Sequence, residues 1–446
     1  MRIIKSALLA VALAAMALGG QSAYGQGGPA WLESCPDQGL RALAGLALEK
    51  NRDSRLSALG ALEARAAFGM AQSAARPGEA GGPAWWERAG GPGLSVGETN
   101  GEALTPPVLE QGYLNDLADG PRAALEAYLG AVESGREARE SLSLRVAGAY
   151  LAARLAAERL ALAEAHLTGL RGALETSEAM ADAGLTDRMG AGSARGLVFG
   201  AEAILSDRKA DLALAGIDLA YLVGDFGGLD LPDGLGLANW PGLPLPGGLS
   251  LGPPPGAGPE GGLALGDWPE PALPGELDPG ALREGPAVRA AERGLMAAYA
   301  NGGEAWAALF PEVSLTGKGE AGFNPGLNRA RLDLADIRKA MAVATYEKTV
   351  QAAFREASRA LALRDGLAGR LAAQENLVAS KRTELEMARE RFRAGVIDVR
   401  ALAGALGGVL EAESALLGTK KDKILNDLAI MAAFGLGFQE APAQSD

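Results

Sequence analysis

Two long stretches of the chain carry Ala and Leu among Glu and Arg without a Pro, from about Arg122 to Gly224 and from about Leu327 to Gly435. These four residue types have high helix propensities, so both stretches are predicted to be helical. A break centred on a glycine interrupts each stretch, near Gly184 in the first and near Gly395 in the second. The pattern therefore predicts two units, each made of a helix, a turn and a second helix.

The first arm of the second unit, from about Leu327 to Ala394, would be a rod of roughly 100 Å at a rise of about 1.5 Å per residue. A helix of that length cannot be the core of a compact domain, so it is expected to lie against other long helices as in a coiled coil. Val378 and Leu385 are seven residues apart and Arg389 follows four later, with charged residues between them. The fold class indicated is mostly α, in long antiparallel hairpins.

The two breaks have the residues that a tight turn between helices needs. Gly395 permits the left-handed conformation that ends one helix, and Asp398 is a suitable N-cap for the next. Thr186 and Asp187 can cap a helix in the same way after Gly184. Each break is therefore predicted to be the tip of a helical hairpin.

The chain repeats itself around these breaks. Gly184 and Gly395 are 211 positions apart, and the same offset aligns further glycines and charged residues. The aligned pairs include Asp187 with Asp398, Glu202 with Glu413, Lys209 with Lys420, Asp211 with Asp422, Gly224 with Gly435, Arg159 with Arg370 and Glu175 with Glu386. A repeat of this length indicates one structural unit built twice.

The N-terminus is typical of a secretory signal. Arg2 and Lys5 precede the apolar run from Ala7 to Leu18, which is too short for a membrane span. Small residues follow, and cleavage is predicted between Gly25 and Gln26; the alternative is an uncleaved anchor. No later stretch is expected to cross a bilayer as a helix.

Composition narrows the function classes. The chain has 42 Lys and Arg against 55 Asp and Glu, a formal charge of -13, which disfavours nucleic-acid binding. His166 and Cys35 are the sole residues of their types, so an intrachain disulfide is excluded and no metal or catalytic constellation stands out. We predict no catalytic residue, no metal site and no cofactor, and we treat Cys35 as an ordinary residue and not as a lipidated one.

Several motifs resemble those of the TolC-type outer-membrane factors, the outer-membrane efflux protein family. The segment Arg391–Asp398 resembles the periplasmic hairpin tip of that family. Grouped by type, the other resembling segments are Asn51–Arg55 and Gly285–Arg289 (helix starts), Leu117–Gly120 and Phe323–Gly326 (turns that begin descending helices), Ala149–Arg154 (the Ala-Tyr motif at the beginning of the inner long helix) and Ala308–Pro311 (the end of the climbing helix). The resemblance covers nearly all of the mature chain in the family's order.

The resemblance implies a homotrimer in which each chain gives two helical hairpins to a twelve-helix α-barrel and four short strands to a shared outer-membrane β-barrel. The implied organisation is a signal peptide at 1–25, a first repeat at 26–224 with a β-hairpin region at 78–117, a Pro/Gly-rich equatorial linker at 225–285, a second repeat at 286–438 and a tail at 439–446. The implied location is the outer membrane, in contact with its lipid and projecting into the periplasm.

The implied function is that of a duct in a tripartite efflux pump or a type I secretion system. Its partners would be a periplasmic adaptor protein and an inner-membrane RND or ABC pump. The alternative is a non-conducting envelope scaffold of the same family. The residues expected to dock the adaptor are those of the two tips, Gly184, Leu185, Thr186, Asp187, Gly395, Val396, Ile397 and Asp398. The competing interpretation is that the tips are plain helix turns without a partner.

Two departures from the family pattern are expected. Family members often carry acidic residues six and nine positions after the second tip glycine, where this chain has Ala401 and Gly404. The second β-hairpin has only Glu312–Gly322, too short for two strands of about 9–11 residues each. We therefore expect a stunted second hairpin, unless the strand continues through Leu327 to Leu332 and shortens the helix.

Overall fold

The computed structural model describes residues 28–75, 117, 119–184, 188–224, 263–271, 273, 278–307 and 325–437. Its helices are α1 Ala30–Glu33, α2 Gln38–Lys50, α3 Arg52–Ala75, α4 Asp119–Asp182, α5 Arg188–Val223, α6 Pro286–Ala307, α7 Pro325–Arg393 and α8 Val399–Ala433, with a 3₁₀ turn at Pro279–Glu284. The described ranges hold helices and no strands, which confirms the mostly helical fold class. The predicted cleavage site at Gly25 and Gln26, and the predicted β-hairpin regions apart from Leu117, lie outside these ranges.

Two antiparallel hairpins form one half of the molecule. α4 and α5 pair on either side of Gly184, and α7 and α8 pair on either side of Gly395. α4 also packs against α8, so the helices follow the order α5, α4, α8, α7. The two outer members of this order, α5 and α7, each have one side on which no other described helix packs.

The other half is built on the same long helices. α3 and α6 both pack against α4, and α6 also packs against α7, so the order there is α3, α4, α6, α7. α7 has 69 residues and reaches through both halves, as predicted from its uninterrupted pattern. Val378, Leu385 and Phe392, spaced by seven residues, are all buried, as expected for a coiled-coil seam.

The helix starts lie where the sequence motifs predict them. α3 begins at Arg52, α4 at Asp119, α6 at Pro286 and α7 at Pro325. Pro is well tolerated in the first turn because its missing N–H has no helical partner there. One motif was misplaced: Tyr150 does not begin a helix but lies buried in the middle of the continuous helix α4.

The helix boundaries also decide one alternative for the second β-hairpin. Leu327, Ala330 and Leu332 all lie within α7, so the expectation that a strand continues through them is wrong. α6 ends at Ala307 and α7 begins at Pro325, which leaves only residues 308–324 between the two helices. Those residues lie outside the described ranges, and the prediction of a shortened hairpin stays a prediction.

The internal repeat is visible in backbone geometry. Within the described ranges, the glycines with positive φ are Gly184 (71°), Gly224 (76°), Gly395 (69°) and Gly435 (63°). They form two pairs at the predicted offset, one pair at the tips and one at the ends of α5 and α8. Each glycine ends a helix in the left-handed conformation that residues with a Cβ adopt only at a cost.

An ion pair repeats at the same offset. Arg171 on α4 contacts Glu202 on α5 at 2.8 Å, and Arg382 on α7 contacts Glu413 on α8 at 2.6 Å. Both pairs bridge the two arms of a hairpin, at equivalent distances from the tip glycine. The two hairpins are therefore copies of one unit in side-chain contacts as well as in length.

The largest core lies at the equator, where α1 and α2 pack onto α4, α5 and α8. Trp31, Leu40, Leu151 and Met431 are fully buried in it. Burial of each such side chain stabilises the fold by roughly 1.5–3 kcal/mol. This core binds the N-terminal helices to both repeats.

Residues 263–271, which we name the strap, cross the surface of α4 beside this core. The Leu263 N–H donates to the buried Asp37 carboxylate at 2.7 Å, and Arg154 Nε donates to the Leu263 carbonyl at 3.1 Å. The Leu265 N–H donates to Glu158 at 2.8 Å. Backbone groups of a Pro/Gly-rich segment are thus satisfied by side chains from far along the chain.

α8 has the length and apolar composition of a membrane-spanning helix, contrary to the expectation that no later stretch would. Those two properties are weak grounds for a span, because core helices share them. α8 packs along both α7 and α4. In the single chain, 22% of the apolar window of α8 is buried, so these contacts account for only part of its apolar surface.

Candidate functional site

The tip of the second hairpin is closed by a glycine turn. Beyond the end of α7 at Arg393, Gly395 has φ of 69°. The Gly395 N–H donates to the Phe392 carbonyl and the Val396 N–H to the Arg391 carbonyl, both at 2.9 Å. This is a Schellman motif, which satisfies carbonyls that the helix end leaves unpaired. The left-handed turn predicted at Gly395 is confirmed.

The return helix starts with the predicted cap. Asp398 has extended backbone geometry and its carboxylate accepts from the Ala401 N–H at 2.9 Å. Val396 projects from the turn with 70% of its surface exposed, whereas Ile397 is half-buried against the hairpin core. The tip therefore presents one isolated apolar side chain on a rigid turn.

The first tip has the same glycine geometry. Gly184 has φ of 71° and its N–H donates to the Ala181 carbonyl at 3.1 Å. No atom crowds the position of a Cβ at Gly184 or Gly395, so glycine is required there by conformation and not by space. Leu185, Thr186 and Asp187 lie outside the described residues, and their capping and docking roles stay predictions.

A groove lies between the two tips, and we name it the tip groove. One wall comes from the end of α4 and the start of α5, and the other from the end of α7 and the start of α8. Its lining residues are Ser177, Met180, Gly190, Ser193, Phe392, Arg393, Ala394, Gly395, Ile397, Asp398, Val399 and Arg400. Phe392 and Val399 are buried and form an apolar floor, with Met180 and Ile397 half-buried beside them.

The rim of the tip groove is basic. Arg393 and Arg400 are exposed, and Arg400 Nη2 donates to Ser193 Oγ at 3.3 Å. Asp398 is the acid among the lining residues, and its carboxylate is engaged by the Ala401 N–H. The first turns of α5 and α8 contain no acidic residue.

A second feature is the row of exposed apolar residues along the outer helices. On α7 these are Leu327, Leu334, Ile337, Met341, Phe354, Leu363, Leu377 and Met387. On the opposite edge they are Leu56 and Met70 of α3 and Met189, Phe199, Leu214 and Tyr221 of α5. Exposed apolar surface of this extent marks an interaction face.

The single His and Cys are packing residues. Burial lowers the pKa of His166 below its ordinary value, which favours the neutral ring. Cys35 is fully buried, and burial raises the pKa of its thiol to about 11. In the described ranges, no group of three or more His, Cys, Asp and Glu side chains could hold a metal ion.

The sequence identified the turn residues of this site but missed the tip groove. Met180 and Ser193 are separated from Phe392 and Arg400 by about 200 positions, and no local pattern joins them. One signal was available: Arg400 lies in the first turn of α8, where the helix dipole disfavours a cation.

Comparison with known proteins gives consistent matches. The family model for outer membrane efflux proteins matches residues 323–436. The solvent efflux pump outer membrane protein SrpC of Pseudomonas putida is 31% identical over a match that covers 90% of this chain and 86% of SrpC. The cation efflux system protein CusC of Escherichia coli O157:H7 is 27% identical, with 92% and 88% covered. A crystal structure of CusC matches with a TM-score of 0.67 at 23% identity, covering 91% of this chain and 94% of that one, which shows a shared fold.

Proposed function

The chain belongs to the outer membrane efflux protein family, and on that premise we propose that three copies of it form the outer-membrane duct of a tripartite pump. The resemblance drawn from the sequence motifs is thereby confirmed. The protein is an outer-membrane efflux component, and its relatives are channel proteins and not enzymes. Its cargo would pass through the lumen without tight binding.

The trimer is supported by two edges of the molecule that no other described helix covers. One edge is α7 over its whole length. The other edge is formed by α5 in the half with the tips and by α3 in the other half. Ile337 and Met341 on the first edge are 58% and 63% exposed, and Phe199 on the second is 68% exposed. The edges are different surfaces, so copies would join head to tail, and such an interface generates a closed ring when the rotation between copies closes.

Each copy would add four long helices to the ring, α4, α5, α7 and α8. Three copies give the twelve-helix barrel implied by the resemblance. In this arrangement the exposed apolar rows of α7 and of α3 and α5 become buried against each other, which removes an otherwise costly exposure.

We infer further that the hairpin tips dock a periplasmic adaptor, which links the duct to an inner-membrane RND or ABC pump. The observation that carries this inference is the tip geometry: a rigid glycine turn with the exposed Val396 beside an apolar groove. Exposed apolar side chains held on rigid turns are suited to a protein contact, because little conformational entropy is lost on binding.

The test replaces both tip glycines, Gly184 and Gly395, with Leu in the full-length protein. A side chain at positive φ is strained, so the turns should rearrange while the helices and the trimer remain. We expect efflux to be lost in cells that retain the trimer in the outer membrane, measured by cargo accumulation and by membrane fractionation.

The matched control replaces Gly172 on α4 and Gly45 on α2 with Leu. Both are helical glycines with open space around the Cβ position, and they lie away from the turns. This variant should export normally. Unchanged efflux by the tip variant would show that the adaptor does not dock through these turns.

A further inference from the structure

The internal repeat makes one contact inside the chain a template for a contact between copies. The offset of 211 residues makes α7 the equivalent of α4, and α5 the equivalent of α8. Within one chain, α4 packs against α8. When the helix order α5, α4, α8, α7 continues into a second copy, α7 meets that copy's α5, which is the equivalent pair. Building on the proposed trimer, we propose that Arg370 on α7 binds Asp207 on α5 of the neighbouring copy and so sets the register in which copies join.

The template contact is made by Arg159 on α4. Its Nη2 donates to the Ser414 carbonyl of α8 at 3.0 Å. The same nitrogen lies 3.2 Å from the position that a Cβ would take at Gly418, one turn further along α8. Arg159 therefore reaches across the junction of the two repeats and contacts the backbone of α8.

The repeat transfers this contact to the edges of the molecule. At the offset of 211 residues, Arg159 corresponds to Arg370 and Gly418 corresponds to Asp207. The Arg370 guanidinium would thus lie beside the Cβ of Asp207, where the carboxylate can bind it. The contact between copies therefore has a carboxylate where the contact within the chain has a glycine. Opposite charges are suited to that position, because separate chains must be selected as partners as well as packed together.

The charges at these two positions are unpaired in the single chain. Arg370 and Asp207 are both exposed, and within the described ranges neither forms an ion pair. Asp211, one turn after Asp207, is already bound by Arg208 at 2.7 Å. Asp207 is therefore free to accept a guanidinium from another copy, whereas Asp211 is engaged within its own helix.

Exposure differs between equivalent residues as this arrangement requires. Phe199 and Leu214 on α5 are 68% and 61% exposed, whereas their equivalents on α8, Leu410 and Leu425, are half-buried. Leu425 lies against α4, with its Cδ2 3.9 Å from the position that a Cβ would take at Gly148. Among the described helices, α5 thus lacks the neighbour that α8 has in α4, and α7 of another copy would supply it.

An exchange of charges tests the pairing. In the purified full-length trimer, Arg370→Glu and Asp207→Arg should each lower the temperature at which half of the trimers dissociate, because each substitution places like charges opposite one another. The variant with both substitutions has an ion pair with its signs exchanged and should recover most of that loss. Light scattering in detergent during slow heating follows the dissociation.

Arg145→Glu is the matched control, because it makes the same change in charge as Arg370→Glu at an exposed position on α4, which is not an edge helix in either half. It should leave the dissociation temperature unchanged. Added salt should shrink the differences among the Arg370 and Asp207 variants, as expected for exposed charges. If the losses of the two single variants add in the double variant, or if neither single variant differs from the unaltered protein, the pairing is overturned.

These outcomes are distinct from a failure of the proposed function. If the unaltered protein gives one chain per particle, the trimeric duct is wrong, and the pairing of copies is wrong with it. A stable trimer that the exchange of charges does not affect keeps the duct and overturns only the register set by Arg370 and Asp207.

Discussion

Asn51 occupies the junction at which α2 ends and α3 begins. Its Oδ1 accepts from the N–H groups of Asp53 and Ser54, at 2.8 and 3.3 Å, and so caps α3. Its Nδ2 donates to the Leu222 carbonyl at 2.7 Å, in the last turn of α5. One buried side chain therefore satisfies unpaired groups at the ends of two helices.

Asn51→Ala should destabilise the protein by about 1–3 kcal/mol, because it removes a cap and leaves a buried carbonyl unsatisfied. Asn51→Ser keeps a capping oxygen and loses the donor to the Leu222 carbonyl, so its loss should be smaller. Thermal unfolding of the trimer, followed by circular dichroism, measures both. Equal unfolding midpoints for the two variants would contradict this prediction, because the retained capping oxygen would then contribute nothing measurable.

The residues of the tips show what sequence can predict at this scale. The positive φ of Gly395 and the cap at Asp398 depend on residues within four positions, so the pattern of one turn was enough. The tip groove depends on Phe392 and Met180, from different hairpins, lining one site, and this arrangement is set by how α8 packs on α4. No local pattern contains that information.

At the scale of elements, the helices could be predicted from local sequence, whereas the position of the strap could not. The long helices follow from residue propensity, from caps and from glycine breaks, all of which are local. The strap has no periodicity, and its position depends on Asp37, Arg154 and Glu158, which are remote in sequence. Prediction from sequence therefore gave the helices and their repeat but could only name residues 225–285 a linker.

Glu158 offers a test of how the strap is held. Burial raises the pKa of Glu158, and the Leu265 N–H and the Arg154 guanidinium only partly oppose that shift. The folded state thus binds this proton more tightly than the unfolded chain, so the stabilisation is present at acid pH and is lost as pH rises through the folded-state pKa. Ionised Glu158 is therefore a cost at neutral pH.

Glu158→Gln keeps an acceptor for the Leu265 N–H and removes the buried charge. At about pH 8 this variant should be as stable as the parent or more stable, and its advantage should shrink as pH falls toward about 4. The midpoints of thermal unfolding across that range give the comparison. A variant clearly less stable than the parent at about pH 8 would mean that the attraction of Glu158 to Arg154 and Lys420 outweighs the cost of its burial.

At the scale of the whole molecule, the single chain is an open row of helices with an apolar surface at each edge. Each edge of this row lacks a packing partner, as an edge strand of an open β-sheet lacks a partner strand. The resemblance found in the sequence implied the trimer, and the structure adds which faces the described helices leave uncovered.

Replacing Ile337 and Met341 with Glu should prevent assembly, because it would bury two unpaired charges per interface. Light scattering in detergent should then give a single chain per particle, while the unaltered protein gives three. Arg145→Glu, an equal change in formal charge per chain on the central helix α4, serves as the control and should remain trimeric. Persistent trimers of the α7 variant would show that this edge is not the interface.

The strap also has a mechanical consequence. It fixes α4 near Glu158, whereas the first tip lies at Gly184. The intervening helix is a stiff lever of roughly 40 Å, so a rotation of about 5° at its fulcrum moves the tip by about 3.5 Å. Small adjustments at the equator are thereby amplified at the far end, with no helix having to bend or unwind.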